Sequence, residues 1–576
     1  MNFLRFLRYN PLIGKRAPSF RNVTFNASQR EALFESTERW LWNDNEQRAA
    51  RRVDFDPDAL QRIACEALDA NECITFTPMP EGSYNRTYRL SFDNGEEATL
   101  KIPFRLPGHT SRRTASEVAT LQYMNDTSPI PAPSVIAWSS RKDATPVGSE
   151  FILLEYVPGE TLANHWHDPD FDPLDVFRPL LRYERAFQEA SFSGIGSLCF
   201  KDDVLTECQQ PLFASVPPPS YEAVKDKYRV GPLADRQYWR GQRGDKIYDH
   251  GPCELVQLPF AVAPTANLLA TSGPTMLAFF TAIAKNQLLF LEKHAKDDAP
   301  FRRPPFHSRD THRAIIETYL ETIPHVLPLD DAQTSLIWHP DLNAHNILIK
   351  PKGRRSIVGI IDWQDTAIMP FLMQSSLPPL VIADDDEFGF KPKDLIRQPD
   401  PFPENPAAHG ISANDEPRAR VQHERIRRMM WYIGELLDQE RRSPVLPAPC
   451  GGTIAMLPLY IVRSWEDGII PVRKALYTIH DSWDDLAQHG VSRPAALVDL
   501  CCNRAVDEVE TKRWDFWISQ SEQALGCIAC EGDGLVDKEL ASEALEAAPN
   551  LKEEWDKENL PGPYPFVDGQ YSYFLS

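Results

Sequence analysis

Two stretches of alternating apolar and polar residues, separated by a turn, lie near the start of the chain. The alternation covers 88–92, stops at the sequence Asp-Asn-Gly of 93–95, and resumes over 98–103. A period of two is typical of a strand with one buried face, and residues that tolerate positive φ favour a tight turn. The pattern therefore predicts an antiparallel hairpin that carries Lys101 on its second strand.

A short loop precedes this hairpin and follows another strand predicted over 73–77. The loop has the sequence Pro-Glu-Gly-Ser-Tyr-Asn at 80–85, with Gly82 and Ser83 at its centre. Backbone N–H groups in such a loop can bind a phosphate. A single glycine between strands more often marks only a turn, so the loop alone does not establish a phosphate site.

Apolar residues recur with helical spacing over 115–124, directly after the hairpin. The pattern predicts a helix that begins near Thr114. Glu117 in its first turn has two interpretations: it could close a capping box with Thr114, or it could form an ion pair with Lys101. From these residues alone, the capping box is the simpler interpretation.

The most apolar long window is 274–294, which is about the length of a membrane span. Lys285, Asn286 and Gln287 stand at its centre, where a charge in a bilayer costs about 3 kcal/mol. We therefore expect a helix buried inside a folded domain, and no transmembrane segment.

A second strand pair is predicted over 347–349 and 357–361, with a turn between them. Asn346 begins the first of these strands and Asp362 ends the second. In an antiparallel pair these two positions lie at the same edge, so we expect their side chains to be close. An amide oxygen and a carboxylate suit a hard cation such as magnesium. Because His339 and His345 lie nearby in the sequence, a softer metal ion remains an alternative ligand for this site. The two histidines lack the i, i+4 spacing of a helical zinc pair.

Asp341 lies in the loop that precedes this strand pair, five residues before Asn346. A carboxylate there is placed to accept the proton of an attacking hydroxyl group.

The balance of charge limits the partners of the chain. It has 61 Lys and Arg against 82 Asp and Glu, a formal net charge of -21. A protein that coats nucleic acid needs clustered cations to release counterions, so we expect no nucleic-acid partner. Any anionic ligand must be met by a local cationic group.

The ten cysteines are dispersed along the chain, which favours a reducing compartment over a disulfide scaffold. A zinc site is the alternative for Cys501, Cys502, Cys527 and Cys530. Zinc thiolate sites usually come as two spaced pairs, whereas Cys501 and Cys502 are adjacent, so we expect buried or free thiols.

Residues 1–30 differ from the rest of the chain, since they contain six basic residues and no acid. On a helix, the apolar residues of 3–7 fall on one side and Arg5 and Arg8 on the other. Such a segment is typical of a mitochondrial presequence, which predicts import into the matrix with the mitochondrial import machinery as a partner. The alternative is a disordered basic arm or a surface helix.

The sequence His-Pro-Asp-Leu-Asn-Ala-His-Asn at 339–346, with Ile-Asp-Trp at 361–363, resembles the catalytic and metal-binding loops of the aminoglycoside phosphotransferase and choline kinase superfamily, relatives of the protein kinases. Further stretches are similar to the fungal branch named after altered inheritance of mitochondria protein 9. These stretches are 81–85, 100–103, 115–121, 130–133 and 228–239.

The resemblance implies an α+β fold of two lobes like that of protein kinases, with a small antiparallel-sheet lobe and a larger, mainly helical lobe. Applied to this chain, it gives a presequence at 1–30, an N-terminal lobe at 45–157 and a C-terminal lobe with the catalytic loop at 158–470. A helical extension at 471–576 would pack on the large lobe.

The resemblance also implies roles for single residues in ATP and Mg²⁺ binding. Lys101 would bind the ATP phosphates, Glu117 would orient Lys101, and Asp341 would be the catalytic base. Magnesium would be held by Asn346 and Asp362. The cofactor would also contact the phosphate loop through Gly82 and Ser83 and a hinge through Glu155 and Val157, while His339 would support the catalytic loop.

The function that follows is ATP- and magnesium-dependent transfer of a phosphoryl group to a hydroxyl of a small molecule in mitochondria. Trp363-Gln364 and the lack of an Ala-Pro-Glu segment after Asp362 argue against a protein acceptor. One alternative is a nucleotide-binding pseudokinase that supports mitochondrial maintenance or inheritance without turnover. Nucleotidyl transfer is another.

Overall fold

The computed structural model describes fourteen parts of the chain: residues 20–104, 110–168, 170–204, 211–239, 275–296, 306–328, 331–382, 388–390, 399–438, 450–487, 490–527, 534–536, 541–557 and 564. The strands are β1 (Arg39–Trp40), β2 (Cys73–Pro78), β3 (Asn85–Phe92), β4 (Glu97–Pro103), β5 (Val135–Ser139), β6 (Phe151–Glu155), β7 (Glu160–Thr161), β8 (Ser197–Phe200), β9 (Tyr228–Gly231), β10 (Ser335–Ile337), β11 (Ile347–Ile349), β12 (Ile357–Ile360), β13 (Ile368–Pro370) and β14 (Leu535–Val536).

The α-helices fall mostly in the second half of the chain. They are α1 (Ala27–Phe34), α2 (Asp44–Ala50), α3 (Pro57–Leu68), α4 (Thr110–Thr127), α5 (Leu174–Phe187), α6 (Met276–Lys293), α7 (Arg309–Val326), α8 (Phe371–Gln374), α9 (Pro379–Ile382), α10 (Glu416–Leu437), α11 (Gly451–Asp467), α12 (Ile470–Asp481), α13 (Trp483–Leu486), α14 (Ala495–Cys502), α15 (Arg504–Cys527) and α16 (Ala541–Lys557).

The small lobe is built on a five-stranded antiparallel sheet with the strand order β2-β3-β4-β6-β5. The predicted hairpin is confirmed: β3 and β4 pair from Asn85 opposite Pro103 to Ser91 opposite Glu97. Gly95 in its turn has a φ of 87°, which a residue without a Cβ adopts at no steric cost. The inward residues Tyr88, Leu90 and Leu100 are fully buried in the core of this lobe.

Helix α4 begins at Thr110, one turn earlier than predicted. Thr114 is therefore an interior residue, and its hydroxyl donates to Glu150 Oε2 at 2.8 Å. The capping-box interpretation of Glu117 is thus wrong, since the helix continues through the position where the cap would have been. Glu117 is left free to face the sheet.

The residues before the predicted N-terminal lobe are part of the small lobe. Arg21 forms a parallel bridge with Glu72, and the Val23 N–H donates to Gln61 Oε1 at 2.8 Å. The Tyr88 hydroxyl donates to the Leu33 carbonyl at 2.6 Å. Residues 1–19 of the predicted presequence lie outside the described residues, whereas 20–30 pack against the folded lobe. A leader that extended to residue 30 would remove the contacts of Arg21 and Val23 but not that of Leu33.

The chain crosses from the small lobe to the large lobe after β6, and the crossing segment lies directly on β12. A Cβ on Gly159 would stand 2.7 Å from Val358 Cγ2, and one on Gly359 would stand 2.8 Å from Val157 Cγ1. Only glycine allows this close approach at either position. The two lobes therefore meet tightly beside the strand pair β11–β12.

The large lobe has one extensive apolar core, to which helices α5 to α14 contribute. The predicted buried helix of 274–294 is confirmed as α6, with Phe279, Phe280 and Ile283 buried. None of the helices in the described parts of the chain is long and apolar enough to cross a membrane.

Described segments of the C-terminal extension pack against earlier parts of the chain. Helices α12 to α14 continue the large-lobe core, through residues such as Leu476 and Leu497, beyond the predicted boundary at 470. Farther on, β14 pairs antiparallel with β1, which places Leu535–Val536 beside Arg39–Trp40. Gly534 lies so close to the Trp42 indole that a Cβ there would come within 2.9 Å of the ring.

Candidate active site

The strand pair β11–β12 brings the two predicted oxygen ligands to one edge. Ile347 pairs with Ile360, and the Ile361 N–H donates to the Asn346 carbonyl at 2.9 Å. The residue before β11 and the residues after β12 are therefore adjacent, as the antiparallel pattern requires. Asn346 and Asp362 lie together at this edge.

Asp362 adopts a strained backbone conformation. Its φ is 65°, in the left-handed region that costs a residue with a Cβ about 1–2 kcal/mol. The turn aims its carboxylate at the small lobe, where Oδ1 stands 3.1 Å from Lys101 Nζ. Strain of this kind tends to cluster at functional sites, because the surrounding fold must hold it in place.

Lys101 and Glu117 form a buried ion pair inside the small lobe. Lys101 Nζ donates to Glu117 Oε1 at 2.6 Å, and the two side chains are only 8% and 7% exposed. Burial alone would lower the pKa of Lys101, but the carboxylates of Glu117 and Asp362 outweigh it and raise the pKa. The lysine is therefore held as a cation between α4 and the loop of 361–365 that follows β12, called the metal loop here after its predicted role.

Asp341 stands exposed in the loop before β11, and its backbone is fixed from both sides. Its N–H donates to His339 Nδ1 at 3.1 Å, while its carbonyl accepts from Asn346 Nδ2 at 2.8 Å. Because His339 Nδ1 is an acceptor, Nε2 carries the proton and donates to the Ile361 carbonyl at 2.9 Å. Burial lowers the pKa of His339, which keeps the ring neutral. His339 therefore joins the catalytic loop to the metal loop.

The loop of 81–85 is anchored beneath an exposed tip. Glu81 forms an ion pair with Arg86 in which the side chains are 1% and 3% exposed, and it accepts the Ser36 hydroxyl at 2.7 Å. Gly82 and Ser83 are exposed above this pair. The loop is thus held at its base while its tip remains open to a ligand.

The hinge residues lie where the chain leaves β6. The N–H groups of Glu155 and Tyr156 donate to the Ser134 and Glu97 carbonyls at 2.9 and 3.4 Å. Val157 packs against Gly359 at the beginning of the crossing segment. If adenine binds here, Val157 is the predicted hinge residue whose N–H is not already assigned to these contacts.

A second ion-pair cluster beside the metal loop was missed from the sequence. Arg113 Nε stands 2.8 Å from Asp365 Oδ1, and Arg236 Nη1 stands 2.9 Å from Asp365 Oδ2. A parallel contact joins Asn85 Nδ2 to Gln364 Oε1 at 2.6 Å. The sequence did hold one signal, because Arg113 lies four residues before Glu117 and so shares its helix face.

The donor set at the edge fits magnesium. Asn346 donates through Nδ2, so Oδ1 is the atom left for a cation, and Asp362 adds a carboxylate. A site with few protein ligands suits Mg²⁺, which keeps several waters and binds substrate phosphates. Among the residues that the structure describes, no group of three or more His, Cys, Asp or Glu side chains could hold a metal ion.

The structure describes the side chains of two of the four cysteines in the alternative zinc site. Cys501 and Cys502 are free thiols, the first half-buried and the second exposed. Burial is the main cause that raises the pKa of Cys501 to about 11, which disfavours the thiolate that a zinc ion needs. Cys530 and the side chain of Cys527 lie outside the described residues.

Comparison with known proteins matches this chain to a family. Residues 75–373, just over half of the chain, match the phosphotransferase enzyme family. A subtelomeric hrmA-associated cluster protein of Aspergillus fumigatus is 30% identical over 325 residues, which cover 54% of this chain and 61% of that protein. The chain thus matches about three-fifths of the length of this relative.

Other relatives carry the name altered inheritance of mitochondria protein 9, mitochondrial. The one from Eremothecium gossypii is 21% identical over 559 residues, 84% of this chain and 86% of that protein. The one from Candida tropicalis is 26% identical over 324 residues, 54% of this chain and 50% of that protein. The resemblance to this fungal branch is therefore confirmed.

The comparison with solved structures also matched phosphotransferases, at low identity and low TM-score. Aminoglycoside phosphotransferase APH(4)-Ia, in a ternary complex with ADP and hygromycin B, is 15% identical with a TM-score of 0.31, covering 70% of this chain and 98% of that one. The ethanolamine kinase of Plasmodium vivax is 11% identical with a TM-score of 0.28, covering 71% and 81%.

Proposed function

The chain belongs to the phosphotransferase enzyme family, and from that premise we propose that it transfers a phosphoryl group from Mg-ATP to a hydroxyl of a small molecule. The observation that carries the proposal is the convergence of Lys101, Glu117 and Asp362. These residues come from β4, α4 and the metal loop, and they meet through contacts of 2.6 and 3.1 Å.

The nucleotide would lie between the lobes with its phosphates on Lys101. A buried cation held by two carboxylates is rigid, so it can meet an anion without losing further conformational freedom. Gly82 and Ser83 would contact the phosphates from the exposed tip of the phosphate loop, and Glu155 and Val157 would contact adenine. A local cationic group of this kind is needed to bind an anionic ligand, because the chain as a whole has a net charge of -21.

Magnesium would be held by Asn346 and Asp362, and it would neutralise charge on the transferred phosphoryl group. The left-handed turn at Asp362 keeps its carboxylate near both Lys101 and the edge where Asn346 lies. The Asp362 carboxylate could therefore exchange its contact with Lys101 for one with the magnesium ion, which it would bind together with Asn346.

Asp341 would accept the proton of the acceptor hydroxyl. Its carboxylate is exposed, while its backbone is held by His339 and Asn346. An accessible base on a fixed loop is the arrangement that general-base positioning requires. Because most of the catalysis in this class is positioning and charge neutralisation, a small shift of the loop would lower the rate strongly.

The acceptor is proposed to be a small molecule, and the protein to act in mitochondria. The names of the related fungal proteins include the word mitochondrial, and residues 1–19 of this chain contain four basic residues and no acid. The names support a mitochondrial location, and the basic, acid-free segment supports matrix targeting with the import machinery as partner.

The test of the proposal separates binding from chemistry. Asp341→Ala should leave the affinity for Mg-ATP nearly unchanged, because Asp341 meets the acceptor rather than the nucleotide. Phosphoryl transfer to the acceptor should fall about 10²- to 10⁴-fold. Lys101→Ala should lower nucleotide affinity and turnover together, since its charge acts in both the ground and the transition state.

The acceptor would be found by incubating the protein with labelled ATP and a broad set of metabolites. Wild-type protein that binds Mg-ATP but consumes none with any acceptor, together with an Asp341→Ala allele that still rescues loss of the gene, would overturn the enzymatic proposal. A nucleotide-binding maintenance protein without turnover would then be the better account.

A further inference from the structure

The segment 228–239 has no role in the chemistry proposed above, yet it reaches the candidate active site. It contains β9 and ends in a short 3₁₀ turn over Arg236–Tyr238, whose N-cap Asp235 accepts the Gln237 N–H at 2.9 Å. Tyr238 and Trp239 are buried in the large lobe, and the Trp239 indole donates to the Leu233 carbonyl at 3.0 Å. The turn is therefore anchored firmly in the large lobe.

The Arg236 side chain leaves this anchored turn and contacts both loops of the site. Its guanidinium lies over the ring of Tyr84 in the phosphate loop, 3.1 Å from the ring centroid. Its Nη1 stands 2.9 Å from the carboxylate of Asp365, three residues after Asp362. One arginine of the large lobe thus touches the phosphate loop of the small lobe and the metal loop at once.

Asp365 is a fixed anchor for this arginine. Its side chain is 8% exposed, and its second oxygen is bound by Arg113 of α4. Burial would raise the pKa of Asp365, but the two arginines outweigh it and hold the pKa below its usual value. Since Arg113 remains on Asp365 when Arg236 is removed, the buried carboxylate would not be left without a cation.

We propose that Arg236 is a positioning residue that holds the phosphate loop, through Tyr84, against the metal loop while the nucleotide phosphates are bound. The phosphate loop has one glycine, Gly82, and so cannot fold closely over phosphates by backbone freedom alone. The stacked guanidinium supplies the closure from the opposite lobe. The inference rests on the proposed function in one respect, that the cleft binds Mg-ATP.

Arg236→Met is the variant that tests the contact. A cation–π contact of this kind corresponds to about 5- to 30-fold in an equilibrium constant. The dissociation constant for Mg-ATP, measured by calorimetry on the full chain, should rise by that factor. The affinity for adenosine should change less than about twofold, because adenosine has no phosphate for the loop to meet. If turnover is found, KM for ATP should rise while kcat stays nearly constant.

Matched variants separate positioning from a general effect on folding. Tyr84→Leu should weaken Mg-ATP binding as much as Arg236→Met, and the double variant should add little to either, since both remove one contact. Arg229→Met is the control, because Arg229 lies in the same segment but donates to the Lys225 and Tyr228 carbonyls. Its side chain is 9% exposed against 25% for Arg236, so the control removes the more buried of the two arginines. It should leave Mg-ATP affinity unchanged.

The outcomes distinguish this inference from the proposed function. If wild-type protein does not bind Mg-ATP, the proposed function fails. If it binds, and Arg236→Met and Tyr84→Leu bind equally well, only the positioning role is overturned. Equal losses for Mg-ATP and adenosine, or an equal loss in Arg229→Met, would also overturn it. Should Arg236→Met fail to fold, Tyr84→Leu alone decides the question.

Discussion

Two arginines on the same strand make a direct test of what a buried ion pair contributes to the small lobe. Arg86 and Arg89 both lie on β3, and each pairs with a glutamate. The Arg86–Glu81 side chains are 3% and 1% exposed, whereas those of Arg89–Glu97 are 45% and 33% exposed. The two pairs are alike in chemistry and differ in burial.

Arg86→Met should destabilise the lobe far more than Arg89→Met. Removing Arg86 leaves the Glu81 carboxylate buried with the Ser36 hydroxyl, and an uncompensated buried charge costs about 3–5 kcal/mol. The exposed pair is screened by solvent and contributes about 1 kcal/mol at most. The Arg89 guanidinium also lies over the Tyr156 ring, which adds about 0.5–1 kcal/mol.

Amide hydrogen exchange of β3 and β4 is the suitable assay, because a chain with two lobes need not unfold in one step. At about 1.4 kcal/mol per factor of ten, Arg86→Met should accelerate exchange about 10²- to 4 × 10³-fold, and Arg89→Met about 30-fold at most.

The double variant Arg86→Met with Glu81→Met should recover most of the loss, since no charge is then stranded. Equal acceleration in the two single variants, or a double variant as unstable as Arg86→Met, would refute the reasoning.

Three further predictions concern the metal, pH and targeting. Asp362→Asn should weaken magnesium-dependent nucleotide binding without unfolding the protein, and equal Mg-ATP affinity by calorimetry would remove Asp362 from the metal site. Burial and the Asp365 carboxylate raise the pKa of Asp235 to about 7, so the stability that its neutral form provides should be lost as pH rises from about 4 through 7. Asp235→Asn, which keeps the N-cap acceptor, should flatten that part of the thermal stability profile, and an unchanged profile would contradict the assignment. Residues 1–40 fused to a fluorescent reporter should direct it to mitochondria and should fail to do so with Arg5 and Arg8 changed to Glu, whereas a diffuse signal from the unmodified fusion would exclude targeting.

The elements that periodicity can specify were predicted closely. The hairpin β3–β4 and the pair β11–β12 lie where alternation and turn residues placed them, and the second pair brought Asn346 beside Asp362. Local pattern was sufficient there because each pair is closed by a short turn within one stretch of sequence.

Features that depend on contacts between residues far apart in the chain could not be predicted from the sequence. The helix that carries Glu117 begins at Thr110, and the sequence near Thr114 mimicked a helix start. Asp365 meets Arg113 across about 250 residues, and no local pattern encodes such a pairing. Nor could an acid-free composition show that part of 1–30 folds onto the sheet, since the contacts of Arg21 and Val23 are made by backbone groups.

The pairing of β1 with β14 determines the order in which the protein can complete its fold. Arg39 and Val536 are about 500 residues apart, so β1 has no partner until almost the whole chain has been synthesised. Contacts of such sequence separation form late, because the loop between them must close first. The segment next to Ser36 and the Glu81 anchor of the phosphate loop would therefore reach its final position last. A chain that ends before Gly534 would keep β4, which carries Lys101, and the pair β11–β12, which Asn346 and Asp362 flank, but its β1 edge would stay open.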